Sequence, residues 1–214
     1  FTVGLGQSFV FVLVPPLARD LGLSEIQTSS IFAISALAWA TTSAFWGRTS
    51  DKYGRRNIAI LGLVGYSISL IALITPLFLA QKNLLNVTLL FPALVLGRLI
   101  NGLFGSATRP ASFAYIADIT SKDNRTVKFA RLESSFLLGT VAGPLVGGFL
   151  FLISNETPFY VFSGLAFIAA IGIYRKLDSV TKKKNTVKKL NKINWYSSTI
   201  CLLYTSDAAD DRMR

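Results

Sequence analysis

The stretch Gly47-Arg48-Thr49-Ser50-Asp51-Lys52-Tyr53-Gly54-Arg55-Arg56 decides how this sequence folds. It is the most polar decapeptide in the first half of the chain, and it lies between two long apolar runs, 32–46 and 58–80. Long apolar runs joined by a short, cationic segment with two glycines are typical of membrane-spanning helices connected by a turn. We therefore expect further membrane helices on both sides of this segment.

The composition of the whole chain agrees with insertion into a membrane. Of its 214 residues, 51% are hydrophobic and 15% are charged, whereas a soluble domain has about 25% charged residues. The apolar runs are continuous over roughly 20 residues instead of alternating over about 10, which favours helices over a β-barrel. The predicted fold class is an all-α membrane protein.

Several functional classes are excluded by residue content. The net charge of +11 does not indicate nucleic-acid binding, because the cations lie at predicted helix ends and not among aromatic residues of a soluble surface. The sequence contains no His and a single Cys, Cys201, which excludes Cys/His zinc sites and His-based catalytic triads. The sequence has no nucleophile–base pair or phosphate-binding loop, so we expect no enzyme activity, no metal and no cofactor.

Six membrane helices are predicted, at 1–18, 24–46, 57–79, 88–117, 132–153 and 158–174. Ser24 is expected to cap the second helix, and Pro158 to occupy the first turn of the sixth. Proline is expected to end or kink the first helix at 15–16, and to bend the fourth at Pro110 and the fifth at Pro144. The charged segments 47–56 and 118–133 are predicted to be loops.

Basic residues are distributed unevenly between the predicted loops. Alternate loops carry sixteen of them, and the opposite loops carry two. The positive-inside rule therefore predicts that loops 47–56, 118–131 and 175–194 are cytoplasmic. The sixteen residues are Arg48, Lys52, Arg55, Arg56, Lys122, Lys128, Arg125, Arg131, Arg175, Lys176, Lys182, Lys183, Lys184, Lys188, Lys189 and Lys192.

The chain divides into four predicted regions. Residues 1–174 are expected to form a six-helix bundle, residues 175–194 a Lys-rich linker, and residues 195–200 the start of a seventh helix. Residues 201–214 resemble the translation of a sequencing adapter, and we expect this tail to be non-native. Residue 1 lies within an apolar run, so we also expect the native amino terminus to lie upstream.

Arg98 is predicted about 10 residues into the fourth helix, and therefore about 15 Å into the membrane. A charged side chain at that depth is costly and indicates a functional site, although an Arg clamped by helix carbonyls would be structural. Gln7 and Asn101 are the nearest polar candidates for its partners. In the fifth helix, Gly139, Gly143 and Gly147 are four residues apart and form one flat face for close helix packing.

Three motifs carry a family resemblance. The pattern G-x-x-x-D-K-x-G-R-R at 47–56 resembles the signature of the major facilitator superfamily between its second and third helices. Arg98, followed four residues later by Gly102, is similar to the fourth-helix motif of that superfamily. The pattern G-x-x-x-G-P-x-x-G-G at 139–148, which ends in Gly147-Gly148, resembles the fifth-helix signature of its drug/proton antiporters. The segment 114–120 looks particularly like tetracycline/proton antiporters.

The resemblance implies a transporter with two halves of six or more helices, a solute site between them, and rocking of the halves for alternating access. This chain then corresponds to the amino-terminal half, and its partners are the lipid bilayer, a small-molecule substrate and the missing carboxyl-terminal half. The implied function is export of a drug-like, hydrophobic or amphipathic solute in exchange for protons, driven by a proton gradient, as in drug resistance. A facilitative carrier or importer of the same superfamily is the alternative, because those antiporters carry an acid on the first helix and residues 1–18 contain none.

The resemblance also implies roles for particular residues. A charge cluster that latches the cytoplasmic face is expected from Asp51, Arg55 and Asp118, within the motif that also contains Gly47, Gly54 and Arg56. The solute cavity is expected to be lined by Gln7, Phe11, Arg98 and Asn101. A membrane-embedded enzyme or assembly scaffold is a third, less favoured interpretation, which a soluble catalytic domain downstream would support.

Overall fold

A computed structural model describes residues 1–177 of the chain, and these belong to one compact unit. Every regular element in that range is helical: α1 (Thr2–Asp20), α2 (Glu25–Tyr53), α3 (Arg55–Gln81), α4 (Val87–Phe104), α5 (Thr108–Ile119), α6 (Lys122–Phe151) and α7 (Thr157–Lys176). A 3-10 turn, Gly105–Ala107, joins α4 to α5. The predicted linker beyond residue 177, the start of a seventh helix and the tail lie outside the described residues.

Local sequence sets the start of two helices as predicted. The Ser24 hydroxyl accepts a hydrogen bond from the backbone N–H of Gln27 at 3.2 Å, and the Gln27 side chain accepts one from the backbone N–H of Ser24 at 2.9 Å. The predicted N-cap is therefore confirmed, and it is one half of a capping box. Pro158 lies in the first turn of α7, where its missing N–H costs no helical hydrogen bond.

The loops predicted at 47–56 and 118–133 are mostly helical, so that prediction is wrong. The helix α2 continues to Tyr53, α3 begins at Arg55, and α6 begins at Lys122. Gly54 alone separates α2 from α3, with a φ of 95° that glycine adopts without steric strain. Charged residues end the apolar runs, but they do not interrupt backbone hydrogen bonding, since Lys and Arg are good helix formers.

Proline does not end the first helix, and the fourth predicted helix is interrupted close to Pro110. Pro15 and Pro16 lie inside α1, which continues to Asp20, so they do not end that helix. The fourth predicted helix changes to a 3-10 turn at Gly105–Ala107, before Pro110. Pro110 has no N–H to donate to the carbonyl four residues earlier, and its ring clashes with that carbonyl. The α-helical pattern is therefore disturbed on the amino-terminal side of the proline.

Five stretches of the described residues are long and apolar enough to cross a membrane: Thr2–Asp20, Arg55–Gln81, Thr88–Ile119, Asp123–Phe151 and Thr157–Lys176. The helix α2 is also long, with 29 residues, but nine Ser and Thr residues lower its hydropathy. Several of these hydroxyls bond to backbone carbonyls of α2 itself, including Thr41 to Leu37 at 2.9 Å, so they are satisfied without water. The described residues are thus all-helical in their regular structure, and the chain is a multi-pass integral membrane protein.

The helix α3 lies at the centre of the bundle and packs on α4, α5 and α7, while α1 packs along α6 and α2 along α4. Phe9 of α1 is buried with its ring edge-on to Phe159 and Phe162 of α7, at 5.1 and 5.3 Å between ring centroids. Edge-on aromatic pairs are favourable beyond the area that they bury. These contacts fix the position of α1, on which one wall of the cavity described below depends.

The glycine face predicted on α6 packs against α1. A Cβ on Gly139 or Gly143 would overlap backbone oxygens of α1, and one on Gly147 would overlap the ring of Phe9. A Cβ on Gly148 would meet nothing within 4 Å. The three glycines spaced four apart therefore permit the close approach of α1 and α6, whereas Gly148 lies off the contact.

Candidate functional site

Arg55 is the centre of a charge cluster where α2, α3 and α5 meet. The residue is 6% exposed. Its Nε donates to Oδ2 of Asp118 at 3.0 Å, its Nη1 donates to the Ser50 hydroxyl at 2.6 Å, and its Nη2 donates to Oδ1 of Asp51. Its Nη1 also donates to the carbonyl oxygen of Gly47 at 3.4 Å. One guanidinium thus joins the end of α2, the start of α3 and the end of α5.

The two carboxylates of this cluster are not equivalent. The Asp118 side chain is 19% exposed, and the Asp51 side chain is 50% exposed. Asp51 lies in the last turn of α2, four residues before Arg55. Because solvent screens exposed ion pairs, we expect Asp118 to be the stronger partner of Arg55.

Arg56 takes no part in this cluster and contacts the end of α7 instead. Its Nη1 donates to the carbonyl oxygen of Leu177 at 2.9 Å, and its guanidinium carbon lies 5.1 Å from the centroid of the Tyr174 ring. The distance to the ring is that of a cation–π contact. Of the two adjacent arginines, Arg55 therefore links α3 to α2 and α5, and Arg56 links α3 to the end of α7.

An open cavity of about 250 Å³ is lined mainly by α1, α2 and α4, with one residue each from α5 and α6. The four lining residues implied by the family resemblance, Gln7, Phe11, Arg98 and Asn101, all border this one space. Phe32 and Trp39 of α2 add aromatic surface to it. Its walls are thus largely apolar, with a few polar groups at fixed places.

Arg98 lies at the wall of this cavity and is 3% exposed. Its guanidinium carbon is 5.1 Å from the ring centroid of Phe32 and 5.5 Å from that of Phe11, and the two rings stack at 5.0 Å. The expected partners do not bond to it, since the Asn101 amide donates to Oε1 of Gln7 at 3.2 Å instead. Within residues 1–177, Nε of Arg98 is buried without a hydrogen-bond partner. Aromatic faces therefore hold this cation, and it keeps the capacity to bind an anion.

Two side chains of α2 hold α4 in place just before the 3-10 turn. The Thr42 hydroxyl donates to the carbonyl oxygen of Gly102 at 3.0 Å, and the indole N–H of Trp46 donates to that of Leu103 at 2.5 Å. Carbonyls at a break in a helix lose their usual partners and need others. Hydrogen bonds between helices supply them here, as is common in membranes, and the interruption of the fourth span is thereby stabilised.

Sequence reasoning missed one ion pair inside the membrane-crossing stretches. Nη2 of Arg109, in α5, lies 2.6 and 2.7 Å from the two carboxylate oxygens of Glu133, in α6. The predicted loop 118–133 placed Glu133 outside the helices, but it lies about three turns into α6. The sequence does contain a signal for this ion pair: a charged residue adjoins the long apolar run of the same helix, and such residues are costly in a membrane.

The chain is similar in sequence to a known protein family and to known proteins. A family model, the Major Facilitator Superfamily, matches residues 1–205. The quinolone resistance protein NorA of Staphylococcus aureus (strain Mu50 / ATCC 700699) is 30% identical over 202 residues, which cover 91% of this chain and 49% of that protein. The class B tetracycline resistance protein of Escherichia coli is 34% identical over 160 residues, 73% of this chain and 37% of that protein. The matches thus span about half the length of NorA and little more than a third of the tetracycline resistance protein.

The family match covers most of the chain and includes all three of the motifs on which the resemblance was based. Both relatives are named for drug resistance, which agrees with the drug/proton antiporter branch indicated by the motif at 139–148. The chain belongs to the major facilitator superfamily, a family of transporters and not of enzymes.

Proposed function

We propose that this chain forms the amino-terminal, six-span half of a secondary active transporter that exports a small hydrophobic or amphipathic solute by proton antiport. In this proposal α2 is a span despite its lower hydropathy, and α4, the 3-10 turn and α5 together form one span. The other half of the protein faces the cavity, and the halves rock for alternating access. The positive-inside rule places the 47–56 side in the cytoplasm, and the bacterial relatives favour the inner membrane.

The cavity around Arg98 is the observation that carries this proposal. Small-molecule sites are concave and mainly apolar, with a few placed polar groups, and Phe11 and Phe32 with Gln7 and Asn101 fit that description. The volume of about 250 Å³ is below the range of about 300–1,000 Å³ for complete sites. That size suits one wall of a site that is shared between two halves.

The solute class follows from the walls of the cavity and from the relatives. The faces of Phe11, Phe32 and Trp39 favour a flat aromatic solute, and quinolones and tetracyclines, for which the relatives are named, are solutes of that kind. Arg98 favours a solute that also presents an anionic group, because a bidentate Arg–carboxylate contact is strong in a dry site.

The charge cluster is proposed to latch the cytoplasmic face. Arg55 links three helix ends through Asp51, Asp118 and the carbonyl of Gly47, and Gly54 permits the sharp turn between α2 and α3. Because one guanidinium makes all of these contacts, they can break together when the two halves rock. At the other side of the bundle, the contact of Gly139, Gly143 and Gly147 with α1, beside Pro144 and Gly148, is proposed to keep α1 and α6 together as a unit during this motion.

The absence of an acid from most of α1 favours a second candidate, a facilitative carrier or importer. The one acid of α1 is Asp20, at its exposed end. The full-length protein can be expressed in bacteria that lack their own drug-efflux pumps, and efflux of a quinolone and of a tetracycline measured with the proton gradient intact and collapsed. We expect collapse of the gradient to stop efflux. Efflux that continues at the same rate would assign the protein to the carriers.

The variant Arg98→Gln tests the role of the cavity in the same cells. We expect efflux to fall by about tenfold or more, which corresponds to about 1.4 kcal/mol of lost binding energy. Arg48→Gln is the matched control, because Arg48 is exposed in the last turns of α2 and far along the helix from the cavity residues Phe32 and Trp39. Equal efflux in both variants would count against a solute site at Arg98.

A further inference from the structure

The ion pair between Arg109 and Glu133 joins two membrane-crossing stretches, Thr88–Ile119 and Asp123–Phe151. One nitrogen of Arg109 lies within 2.7 Å of both oxygens of Glu133. The side chains are 40% and 37% exposed, and both residues line a cavity, so the described part of the protein covers only part of each side chain. Ionisable residues at such places are costly to maintain and mark ion or proton pathways by default.

The pair lies where two cavities meet. Arg109 and Phe136 line both the cavity around Arg98 and a second one of about 300 Å³ between α1, α3, α5, α6 and α7. Glu133 lines the second cavity. The guanidinium carbon of Arg109 lies 4.7 Å from the ring centroid of Phe136. Arg109 therefore lies at the boundary between the two cavities, together with Phe136 and Val3.

The other charges around Glu133 are few. From the elements packed against α6, α5 contributes Arg109, and the residues of α1 and α7 that line the cavity, among them Thr2 and Ile173, have uncharged side chains. On α6 itself, Arg131 is nearby and exposed. Asp118 of α5 is already bound to Arg55. In the described part of the cavity lining, Glu133 is thus the one carboxylate, and Arg109 is the cation that it contacts.

We propose that Glu133 is a proton-binding site, and that its protonation breaks the ion pair with Arg109 and releases α5 from α6. This inference rests on the proposed antiport, for which α1 supplies no acid inside the membrane. The proton moves from water in the cavity to a carboxylate oxygen of Glu133, and it returns to water when the pair forms again. Arg109 keeps its protons throughout, because a guanidinium does not titrate in proteins.

The backbone next to Arg109 is suited to such a release. Arg109 is the second residue of α5 and follows the 3-10 turn Gly105–Ala107 directly. Short 3-10 segments inside a helix often mark hinges. The far end of α5 stays bound to α3 through Asp118 and Arg55. Loss of the ion pair therefore frees the start of α5, and with it the Arg109 side chain at the boundary between the two cavities.

Distance measurements on the full-length protein test this inference without any transport. Spin labels on cysteines at Ser112, in the second turn of α5 and partly exposed, and at Leu137 of α6, which is exposed, report the separation of the start of α5 from α6 at neutral and acidic pH. The wild-type protein should show a longer distance at acidic pH. Glu133→Gln should show the longer distance at both pH values, and Glu133→Asp, which can still titrate, should restore the pH response. A pH response that persists in Glu133→Gln, or a wild-type distance that ignores pH, would overturn the proposal.

Transport by the same variants in proteoliposomes provides the second readout. We expect the ratio of gradient-driven uptake to gradient-free exchange of a quinolone to fall about tenfold in Glu133→Gln, because coupling is lost. Glu25→Gln is the matched control, since Glu25 pairs with Arg19 at 3.3 Å with its side chain 82% exposed, and its ratio should stay at the wild-type value. An unchanged ratio in Glu133→Gln would contradict the inference. If the wild-type protein moves no solute in either mode, the proposed function fails, and the distance measurement still decides the role of Glu133.

Discussion

Replacing Arg55 by Met is expected to destabilise the protein more than any other change in its charge cluster. The Asp118 side chain would lose its ion-pair partner while it is only 19% exposed, and breaking a buried ion pair costs about 3–5 kcal/mol. The 2.6 Å bond to the Ser50 hydroxyl is worth about 1 kcal/mol net. Asp51, at 50% exposure, adds about 0–1 kcal/mol. We therefore expect a total loss of about 4–7 kcal/mol in the free energy of unfolding.

The assay is unfolding of the full-length protein in mixed detergent micelles, with each variant measured under the same conditions. Asp118→Asn should cost less than Arg55→Met, because Asp51 still compensates the buried guanidinium. Asp51→Asn should cost about 0–1 kcal/mol, as expected for an exposed pair. Arg48→Met, which removes an exposed cation from the same motif, should leave stability within about 0.5 kcal/mol of wild type.

Two outcomes would refute this reasoning. If Asp51→Asn costs as much as Asp118→Asn, burial does not set the strength of the two pairs. If Arg48→Met costs as much as Arg55→Met, the effect comes from net charge and not from the contacts of Arg55. A double-mutant cycle over Arg55 and Asp118 isolates the pairwise energy, which should exceed that of Arg55 and Asp51.

Three further predictions concern function and packing. Exchanging Arg55 and Asp118 should restore part of the efflux lost in either single replacement, and no rescue would exclude a direct pair. Gly143→Ala should lower the unfolding free energy by about 1–3 kcal/mol through overpacking against α1, whereas Gly148→Ala, which meets nothing within 4 Å, should be neutral. Gly54→Ala should cost about 1–2 kcal/mol because its φ is 95°, and a neutral result in the same micelles would contradict that conformational argument.

Hydropathy predicted that the described part of the chain is a succession of long helices, but it misplaced their ends and did not predict that the fourth helix is divided into α4 and α5. The apolar run before the charged motif stops at Trp46, and α2 continues to Tyr53. The run after the second charged segment begins near Leu132, and α6 begins at Lys122. Hydropathy reports where a helix meets the polar phase, whereas the helix itself ends where backbone hydrogen bonding ends. Gly54 and Ser121 mark those ends, and both are residues that helix termini prefer.

Side-chain partners were harder to predict than the membership of the cavity. The family resemblance implied that Gln7, Phe11, Arg98 and Asn101 line a solute cavity; all four border one space, and their role in binding a solute stays a prediction. Which of these side chains bond to one another depends on how distant helices pack. Gln7 and Asn101, for example, are 94 residues apart in the sequence, and no local sequence pattern predicts such a contact. From the sequence we expected the amide side chains of Gln7 and Asn101 to bind Arg98, whereas in the structure Arg98 contacts two aromatic rings.

The two ion pairs of α5 differ in burial, and this difference orders the steps by which the helix can move. Asp118 at its end binds Arg55 with side-chain exposures of 19% and 8%, whereas Arg109 at its start binds Glu133 with exposures of 40% and 37%. Water screens the second pair more strongly, so that pair is the weaker of the two. When α5 moves, it should therefore leave α6 first and stay with α3. The latch at Arg55 would then open only after the start of α5 is free, so that protonation of Glu133 precedes opening at the 47–56 side.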